Sequence, residues 1–283
     1  MTLPVLNPLL VEDAVRAALA EDFGRAGDIT SQATIPASAQ ARAVIAARKK
    51  PGVLAGLALA QKAFQLVDPA LRFEVLAEDG AKFAPGAVLA RIEGPARALL
   101  SAERVALNFL QRLSGVATAA REFADRVAGT NCRVLDTRKT TPGLRLLEKL
   151  ATEAGGVTNH RLGLYDAVLI KNNHIAAAGG VRHAIERTRA ASGLPIQIEV
   201  RTREELREAL EANAERLLLD NLTPEEAGEW VREIDGRATV ELSGGVTVDN
   251  VRAYAEAGAD FVSSGAMTHS ARAMDLSFRL ELA

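Results

Sequence analysis

Small polar and charged residues follow six short apolar runs in the second part of the chain. The runs cover residues 134–135, 167–170, 196–200, 217–219, 239–242 and 260–263. The polar residues at or just after their ends are Asp136, Thr137, Arg138, Lys139, Lys171, Glu199, Asp220, Ser243, Gly244, Gly245, Ser264 and Gly265. If the runs are strands of one parallel sheet, their carboxyl ends meet at one edge, where barrel enzymes hold their reactive groups. We therefore predict that these residues form a single site.

Cationic side chains dominate the first part of this set. Residues 133–171 contain seven Lys and Arg and four Asp and Glu, a local net charge of +3. The planar fork of arginine binds carboxylates and phosphates through two hydrogen bonds, whereas lysine acts as a compact point charge. Arg138 and Lys139 follow a predicted buried strand directly, and with His160 and Arg161 they supply donors for an anionic ligand.

Other charges in the same segment fit a simpler interpretation. Arg145, Glu148 and Lys149 lie on a predicted helix over residues 144–154. Charged residues on a helix usually form a solvated face with scattered ion pairs. We therefore expect these three side chains to be exposed to solvent.

Two carboxylates are predicted to come from adjacent strands. Glu199 and Asp220 end consecutive apolar runs, so their side chains can converge on one point. Such a pair suits Mg²⁺, which prefers one or two carboxylates together with substrate oxygens. The same pair could equally accept hydrogen bonds from ribose hydroxyls, and the residues alone leave both alternatives open.

Two serine–glycine loops are candidates for binding phosphate. Ser243, Gly244 and Gly245 precede a predicted helix, and Ser264 and Gly265 stand at the same place one unit later. Glycine lets backbone N–H groups approach phosphate oxygens, and the N-terminus of a following helix favours negative charge. Their placement after consecutive late strands predicts a phosphate cradle.

Several other chemistries are excluded by the residue types and motifs. The single cysteine, Cys132, rules out an internal disulfide and a cysteine metal cluster, and its place beside an apolar run predicts a buried, unreactive thiol. No histidine pair has the helical spacing of a zinc site. The glycine motifs of P-loop and Rossmann nucleotide sites do not occur either.

The composition restricts partners and location. The 34 Lys and Arg and 36 Asp and Glu residues give a net charge of −2, which does not suit a dedicated nucleic-acid-binding protein. The 48% hydrophobic and 25% charged content is typical of a soluble globular protein. No apolar stretch approaches the ~20 residues of a membrane span, and the basic start of a secretory signal is missing. We expect a cytoplasmic protein without membrane contact.

A chain of 283 residues is expected to form about two domains, since a typical domain has ~150 residues. We place the boundary near Leu113, which gives an N-terminal domain over residues 1–113 and a catalytic domain over residues 114–283. In the first domain, Asn7 and Pro8 predict the start of a helix. Strands are predicted over residues 41–48 and 71–77, a helix over residues 57–67, and a long helix from Pro95 with Gly115 as a point of interruption.

The second domain has the pattern of an α/β barrel. Amphipathic helices are predicted over residues 144–154, 181–191, 204–212, 224–234 and 248–257, between the apolar runs. Repeated strand–helix units imply a parallel sheet with crossover helices. There are six such units, or seven if the alternating Leu276, Phe278 and Leu280 form a further strand. Without a dinucleotide motif, this number favours a barrel of TIM type over an open sheet.

Short motifs along nearly the whole chain resemble one enzyme family. They are ED at 21–22, GDIT at 27–30, ERVALN at 103–108, SG at 114–115, DTRKT at 136–140, PGLR at 142–145, NHR at 159–161, LIK at 169–171, LDN at 219–221, SGG at 243–245 and THS at 268–270. In order and spacing they are similar to quinolinate phosphoribosyltransferase, also called carboxylating nicotinate-nucleotide pyrophosphorylase.

The resemblance implies a fold, an assembly and a reaction. The fold would be an α/β sandwich-like N-terminal domain followed by an incomplete α/β barrel of about seven strands. The chain would form a homodimer or a higher homo-oligomer with active sites shared between subunits. The reaction would join quinolinate to 5-phosphoribosyl 1-pyrophosphate in the presence of Mg²⁺. Its products would be nicotinate mononucleotide, carbon dioxide and pyrophosphate, in NAD biosynthesis.

The resemblance also implies a role for each candidate residue. Those implied to bind the quinolinate dicarboxylate are Arg104 from the partner subunit, Arg138, His160, Arg161 and Lys171. Those implied to bind phosphoribosyl pyrophosphate are Thr137, Lys139, Glu199, Asp220, Ser243, Gly244, Gly245, Ser264, Gly265 and Ala266. The residues implied to be catalytic are Lys139, Lys171, Glu199 and Asp220, and the last two would also be Mg²⁺ ligands.

Three positions depart from the pattern of the family. Gln197 stands where a second Glu is common, Asn172 replaces an acid beside the lysine, and Leu150 occupies a position that is often aromatic. None of them removes an implied ligand. Asn172 and Gln197 are the departures expected to affect metal binding.

Other functions also fit part of the pattern. Lys171 at a strand end is typical of barrel lyases that form a Schiff base. That chemistry does not explain why the arginines and the paired acids are present as well. A related phosphoribosyltransferase acting on another aromatic acid would use the same set. A non-catalytic pyridine- or phosphate-binding regulator would not need all of these charges.

Overall fold

The computed structural model describes residues 8–282 of the chain. Its helices are α1 Pro8–Phe23, α2 Ile29–Thr34, α3 Leu57–Val67, α4 Ala96–Arg126, α5 Arg145–Ala154, α6 Asn172–Ala178, α7 Val181–Ala191, α8 Arg203–Glu211, α9 Pro224–Ile234, α10 Val251–Glu256 and α11 Ala266–His269. Its strands are β1 Gln40–Ala47, β2 Gly52–Val53, β3 Arg72–Val75, β4 Lys82–Phe83, β5 Val88–Pro95, β6 Arg133–Leu135, β7 Val168–Ile170, β8 Ile196–Val200, β9 Arg216–Asp220, β10 Thr239–Ser243, β11 Phe261–Ser263 and β12 Leu276–Leu282.

The described residues divide into two compact units. One unit comprises Arg121–Lys149 and Val157–Ser270, and the other comprises residues 8–120, Leu150–Gly156 and residues 271–282. We call the first the barrel unit and the second the sandwich unit. The first helix begins at Pro8, as predicted, whereas its predicted cap, Asn7, lies outside the described residues.

The sandwich unit is built on an antiparallel sheet of four strands in the order β12-β1-β5-β3. Helix α3 covers this sheet through Phe64, a fully buried side chain that stacks on Phe278 of β12 with 6.0 Å between ring centroids. Phe64 also lies 5.7 Å from the ring of Phe73 on β3. The apolar face of α3 thus packs on β3 and β12, two strands that are far apart in the chain, and joins them into one core.

The candidate seventh barrel strand was a wrong prediction, because β12 pairs with β1 in the sandwich unit. Their antiparallel register places Phe278 opposite Ile45. Along β12 apolar residues alternate with polar Ser277 and exposed Arg279. Alternation of this kind suits a half-buried antiparallel strand, whereas a parallel barrel strand is buried on both faces and reads as a continuous apolar run.

Helix α4 runs for 31 residues without interruption. Gly115 does not break it. A Cβ at this position would lie 2.1 Å from the carbonyl oxygen of Arg272, so the glycine permits close packing of the segment that leads into β12. The predicted domain boundary near Leu113 falls inside this continuous helix.

The barrel unit contains the predicted parallel sheet, with six strands in the order β6-β11-β10-β9-β8-β7. A single parallel bridge between Leu135 and Thr158 adds a further short segment beside β6. This segment was not predicted, because residues 157–159 are too short to read as a strand. It follows α5 in the strand–helix order of a barrel, so this segment, and not β12, adds to the six strands of the sheet.

Local signals fix several helix ends in the barrel unit. The Thr223 hydroxyl accepts the backbone N–H of Glu226 at 3.2 Å, and Glu226 in turn accepts the N–H of Thr223, so α9 begins where predicted. The predicted helix over residues 248–257 is shorter than expected. The Asn250 side chain accepts the N–H of Thr247 in a turn, and α10 starts only after it.

No helix within residues 8–282 has the length and apolar character that crossing a bilayer demands.

Candidate active site

The carboxyl ends of the six parallel strands lie at one edge of the barrel sheet. Strand register places Ser243 directly opposite Asp220, and Glu199 opposite Leu218 two residues earlier on β9. The structure therefore brings together the predicted residues of the barrel unit. Arg104 is the exception, since it lies on α4 in the sandwich unit, where its side chain is 57% exposed and 3.7 Å from Glu103.

Lys171 and Glu199 form an ion pair at the ends of neighbouring strands. The Lys171 ammonium donates to Glu199 Oε2 at 2.7 Å. The backbone N–H of Lys171 donates to His174 Nδ1 at 2.9 Å, which fixes the start of α6. His174 is thereby a structural residue, and the unpredicted helix α6 holds the lysine in place.

Asp220 lies beside this ion pair. Burial, and then the negative charge of Glu199, raise the pKa of the Asp220 carboxyl. Asn221 donates to Asp220 Oδ2 at 2.7 Å, from a residue with a positive φ of 60°. Two neighbouring carboxylates, one of them already paired with an ammonium, form an electronegative end of the site.

The Asp220 and Glu199 carboxylates are the oxygen donors that the site offers to a divalent cation. Within residues 8–282 no group of three or more His, Cys, Asp or Glu side chains has the arrangement of a metal site. Mg²⁺ fits this donor set, because it is commonly held by one or two carboxylates, with substrate oxygens and water as its remaining ligands.

Gly265 brings the ends of β6 and β11 together. A Cβ at Gly265 would lie 2.9 Å from Lys139 Cδ and 3.1 Å from Thr137 Oγ1, so the lysine stem passes directly over the glycine. The buried Thr268 hydroxyl donates to the Lys139 carbonyl at 2.8 Å. The backbone of Lys139 is therefore fixed while the residue stays exposed at the site.

The two serine–glycine loops differ in what their side chains do. Gly244 and Gly245 have positive φ values of +94° and +64°, and a Cβ on Gly244 would lie 2.2 Å from Asn221 Oδ1. The Ser264 hydroxyl donates to the Val246 carbonyl at 2.7 Å and accepts the Ala266 N–H at 3.2 Å. The Ser264 side chain thus ties the loops to each other.

Two arginines form the electropositive end of the site. Burial, and then the charge of Arg138, lower the pKa of Arg161. Arg161 Nη1 donates to the Ala167 carbonyl at 3.0 Å. The Nε of Arg138 is buried and has no hydrogen-bond partner among the described residues. An unfilled buried donor beside a second cation suits an anionic ligand.

Lys149 and Asp136 form a fully buried ion pair beneath this end, with Nζ and Oδ1 2.5 Å apart. Asp136 Oδ1 also accepts the His160 N–H at 2.8 Å, and Lys149 donates to the His160 carbonyl at 3.0 Å. Burial lowers the pKa of Lys149, although the charge of Asp136 opposes the shift.

The expected solvated face of α5 was therefore wrong for two of its three charges. Glu148 is also fully buried and accepts from the Thr141 N–H at 3.0 Å and the Thr141 hydroxyl at 2.7 Å. The sequence contained one useful signal. Asp136 directly follows a buried strand, and a buried carboxylate needs a nearby cation or donors.

Glu241 is a site-facing residue that the sequence analysis missed. It is 3% exposed on β10, and its Oε2 lies 3.2 Å from His160 Nε2 and 2.8 Å from Gln197 Nε2. Burial alone would raise the pKa of Glu241, but hydrogen bonds from His160, Ser263 and Gln197 hold it below the ordinary value. A glutamate inside an otherwise apolar strand was the available signal.

Cys132 is buried, as predicted, and its thiol is chemically inert. Desolvation, and then the charge of Asp260, raise the pKa of the thiol to about 12. Because the thiolate is the reactive form, this cysteine has no nucleophilic role.

Comparison with known proteins covers nearly the whole chain. The family model "Quinolinate phosphoribosyl transferase, N-terminal domain" matches residues 28–114, and the model of the C-terminal domain matches residues 116–279. The probable carboxylating nicotinate-nucleotide pyrophosphorylase of Bacillus subtilis (strain 168) is 39% identical over 279 residues, which cover 98% of this chain and 96% of the relative. The mitochondrial decarboxylating quinolinate phosphoribosyltransferase 2 of Nicotiana glauca is 41% identical, with 96% of this chain and 82% of the relative covered.

Solved structures agree with these relatives. NadC from Streptococcus pyogenes superposes with a TM-score of 0.94 at 37% identity, covering 99% of this chain and 100% of the other. The nicotinate-nucleotide pyrophosphorylase from Francisella tularensis gives a TM-score of 0.93 at 35% identity, with 98% of both chains covered. The predicted fold, an N-terminal α/β domain followed by an α/β barrel, is confirmed. The chain is a member of the quinolinate phosphoribosyltransferase family.

Proposed function

We propose that the protein transfers the phosphoribosyl group of 5-phosphoribosyl 1-pyrophosphate to quinolinate and releases pyrophosphate and carbon dioxide, leaving nicotinate mononucleotide. The observation that carries this proposal is the division of the site into two ends. Two guanidinium groups, one with an unfilled buried donor, stand at one end, and two carboxylates stand at the other. The relatives whose names state this reaction support the same conclusion.

The electropositive end matches quinolinate, which carries carboxylates on adjacent ring carbons. Arg138 and Arg161 can each bind a carboxylate through paired N–H groups. Lys171 adds a third cation near the paired acids. We propose that Arg104 completes this end from the partner subunit of a homodimer or higher homo-oligomer, since an exposed arginine on α4 is available to a neighbouring molecule.

The remaining cationic and glycine-rich elements match the phosphorylated co-substrate. Lys139, exposed over Gly265, would contact the pyrophosphate, with Thr137 beside it. Backbone N–H groups of the loops containing Ser243, Gly244 and Gly245 and Ser264, Gly265 and Ala266 would bind the 5-phosphate. Because the Ser264 hydroxyl is engaged within the protein, its contribution to phosphate binding would come from the backbone.

The carboxylates suit the charge that develops at the ribose. In the first step the pyridine nitrogen forms a bond to ribose C1, and the bond from C1 to pyrophosphate breaks with its electron pair on the leaving group. C1 gains oxocarbenium character, which the Glu199 and Asp220 carboxylates stabilise electrostatically. Mg²⁺, when held by these two carboxylates and by substrate oxygens, supplies charge neutralisation for the pyrophosphate.

The second step uses the cationic ring made in the first. The bond between the ring and the carboxylate next to the nitrogen breaks, and carbon dioxide leaves. The electron pair of the broken bond stays on the ring carbon beside the positive nitrogen. That carbon then takes up a proton. Arg138, Arg161 and Lys171 orient the departing carboxylate. The transfer step comes first because the neutral pyridine cannot hold the electron pair as well as the cationic ring.

A Schiff-base lyase fits the geometry less well. Lys171 Nζ is 2.7 Å from Glu199 Oε2, and an ammonium held in an ion pair lacks the free electron pair that attacks a carbonyl. Borohydride trapping of a carbonyl compound on Lys171 would be the evidence for that alternative.

We also place the reaction in the cytoplasm, in line with the expectation from the sequence.

The proposed function is tested by incubating the protein with quinolinate, phosphoribosyl pyrophosphate and Mg²⁺. Carbon dioxide and pyrophosphate should appear in equal amounts, and nicotinate should replace quinolinate poorly because it carries one carboxylate fewer. The absence of product at saturating quinolinate would contradict the proposal. Rapid turnover of nicotinate or another aromatic acid would assign the site to a related phosphoribosyltransferase instead.

The shared site has its own test in mixed subunits. Arg104→Ala and Lys171→Ala subunits are each expected to have much lower activity alone than the native protein. If Arg104 acts in the neighbouring site, mixing them creates some sites with both residues intact, and activity should return in part. Hybrid oligomers that are shown to form but stay inactive would count against sharing.

A further inference from the structure

Glu241 is buried inside the barrel, and it takes no part in the two proposed reaction steps. A carboxylate removed from water is unfavourable unless its oxygens are hydrogen bonded. One oxygen, Oε2, faces both Gln197 Nε2 at 2.8 Å and His160 Nε2 at 3.2 Å. Glu241 thus connects the middle of the barrel sheet to the residue that precedes Arg161.

Both ring nitrogens of His160 are engaged by the protein. Nδ1 accepts the backbone N–H of Arg161 at 2.7 Å, so the ring proton lies on Nε2, which donates to Glu241. The partner of one ring nitrogen decides which nitrogen carries the proton. With both nitrogens occupied, His160 has no ring donor left for a ligand carboxylate, although the resemblance implied that it binds the dicarboxylate.

The backbone around His160 is already held by the buried ion pair of Asp136 and Lys149. Asp136 Oδ1 accepts the His160 N–H at 2.8 Å, and Lys149 Nζ donates to the His160 carbonyl at 3.0 Å. The orientation of the imidazole and its protonation pattern are then the features left for Glu241 to set. They matter because Nδ1 holds the N–H of Arg161.

We propose that Glu241 is a positioning residue that acts through His160 to hold Arg161 in its place at the electropositive end of the site. Its carboxylate keeps the His160 proton on Nε2, Nδ1 stays an acceptor for the Arg161 N–H, and the guanidinium is held at the Ala167 carbonyl. Gln197 supports this arrangement, since its amide donates to the carboxylate where a second glutamate would bring a like charge. The kinetic consequence rests on the proposed function, whereas the protonation pattern of His160 rests on these contacts alone.

The experiment compares two variants of Glu241 with a control. Glu241→Leu removes the acceptor, Glu241→Gln keeps an oxygen that can accept from both donors, and Val240→Ala alters the neighbouring buried residue of β10 without removing a contact to His160. The chain has four histidines, so the ring-nitrogen NMR signals of a ¹⁵N-histidine-labelled protein can be assigned with a His160→Asn variant. Circular dichroism and thermal melting report whether each variant folds.

The native protein and Glu241→Gln should show a protonated Nε2 and an unprotonated Nδ1 at His160. In Glu241→Leu the proton should redistribute toward Nδ1, and the KM for quinolinate should rise about tenfold while kcat changes less, as for one misplaced charge-assisted hydrogen bond. Glu241→Gln should restore most of that KM, and Val240→Ala should leave both readouts at native values.

A proton on Nδ1 of His160 in the native protein would overturn the inference, and this result needs no variant that folds. An unchanged ring signal and KM in a folded Glu241→Leu variant would overturn it as well. Native protein that turns over no quinolinate but shows the Nε2 proton would contradict the proposed function alone, and the positioning of Arg161 would still be supported.

Discussion

The Lys171 ammonium and the Glu199 carboxylate meet at 2.7 Å across the ends of two neighbouring strands. The Glu199 side chain is 5% exposed and the Lys171 side chain 43% exposed, so the acid lies below and the cation reaches the solvent side. A cation held in this way needs no reorganisation when an anionic substrate arrives. The ion pair therefore fixes the position of both charged groups at this part of the site.

Removing the Arg138 guanidinium should weaken quinolinate binding by ~1.5–3 kcal/mol, the loss expected for charge-assisted hydrogen bonds. Arg104→Ala should have an effect of similar size if a neighbouring subunit supplies it. The KM and kcat for quinolinate are the measurements, with the exposed Arg187→Ala as a matched control. Unchanged values in both variants would contradict the roles given to these arginines.

The two glycines of the first phosphate loop should respond differently to alanine. At Gly244 a Cβ meets Asn221 Oδ1 at 2.2 Å and the Asn221 backbone nitrogen at 2.7 Å, in addition to a positive φ. At Gly245 the φ is also positive but the space is open. Gly245→Ala should cost about 1–2 kcal/mol of stability from the backbone alone, and Gly244→Ala should cost more and raise the KM for phosphoribosyl pyrophosphate. Equal urea unfolding midpoints for the two variants would show that the loop can move away from the clash.

The buried ion pair makes a prediction about stability. Lys149→Met leaves the Asp136 carboxylate without its ammonium partner in the core, and breaking such a pair costs about 3–5 kcal/mol. Arg182→Met is the matched control, because Arg182 pairs with Glu211 on the surface at 3.2 Å and such pairs contribute less than about 1 kcal/mol. Urea unfolding measures both, and a Lys149→Met loss no larger than that of the control would contradict the buried contact.

Asp220 is predicted to lower stability in a pH-dependent way. Its folded pKa is raised above the ordinary value of 3.8, so the folded state binds protons more readily than the unfolded state. The ionised carboxylate therefore has its full destabilising effect at pH values above the folded pKa. This effect vanishes as the pH falls below the unfolded pKa. Asp220→Asn should be more stable than the native protein at neutral pH, with the difference shrinking as the pH approaches 3.8.

Urea midpoints of Asp220→Asn across this pH range test the sign, with the exposed Asp249→Asn as a control for removing a surface charge. The same variant should lose activity, because the Asp220 carboxylate is proposed to stabilise the positive charge that develops at the ribose. A variant that is less stable than the native protein at neutral pH would show that Asp220 is held by favourable contacts instead.

Much of the barrel was predictable because its strands carry a signal that needs no partner. A strand buried on both faces reads as an apolar run, and the rule for barrel strands then places Lys171, Glu199 and Asp220 at one edge. Strand β12 escaped this reasoning. Its alternation indicates a half-buried strand but does not say which sheet it joins, and pairing with β1 links residues more than two hundred positions apart, as in Phe278 opposite Ile45.

Buried charges were harder to predict than the site itself. Lys149 and Glu241 look like ordinary surface and strand residues in the sequence, and their burial depends on partners that only the fold brings close. Lys149 needs Asp136 just after β6, and Glu241 needs His160 beyond α5 and Gln197 on β8. The proposed role of Arg104 was hard to predict for the same reason, because it depends on contacts with a second copy of the chain.

The central claim is tested most directly with quinolinate that carries an isotopic label in the carboxylate next to the ring nitrogen. In the complete mixture with phosphoribosyl pyrophosphate and Mg²⁺, the label should leave as carbon dioxide in a one-to-one ratio with pyrophosphate. The other carboxylate should stay in the nucleotide product. Without phosphoribosyl pyrophosphate no label should be released, because the ring nitrogen is then not cationic. Label release without the co-substrate, or pyrophosphate release without labelled carbon dioxide, would contradict the account.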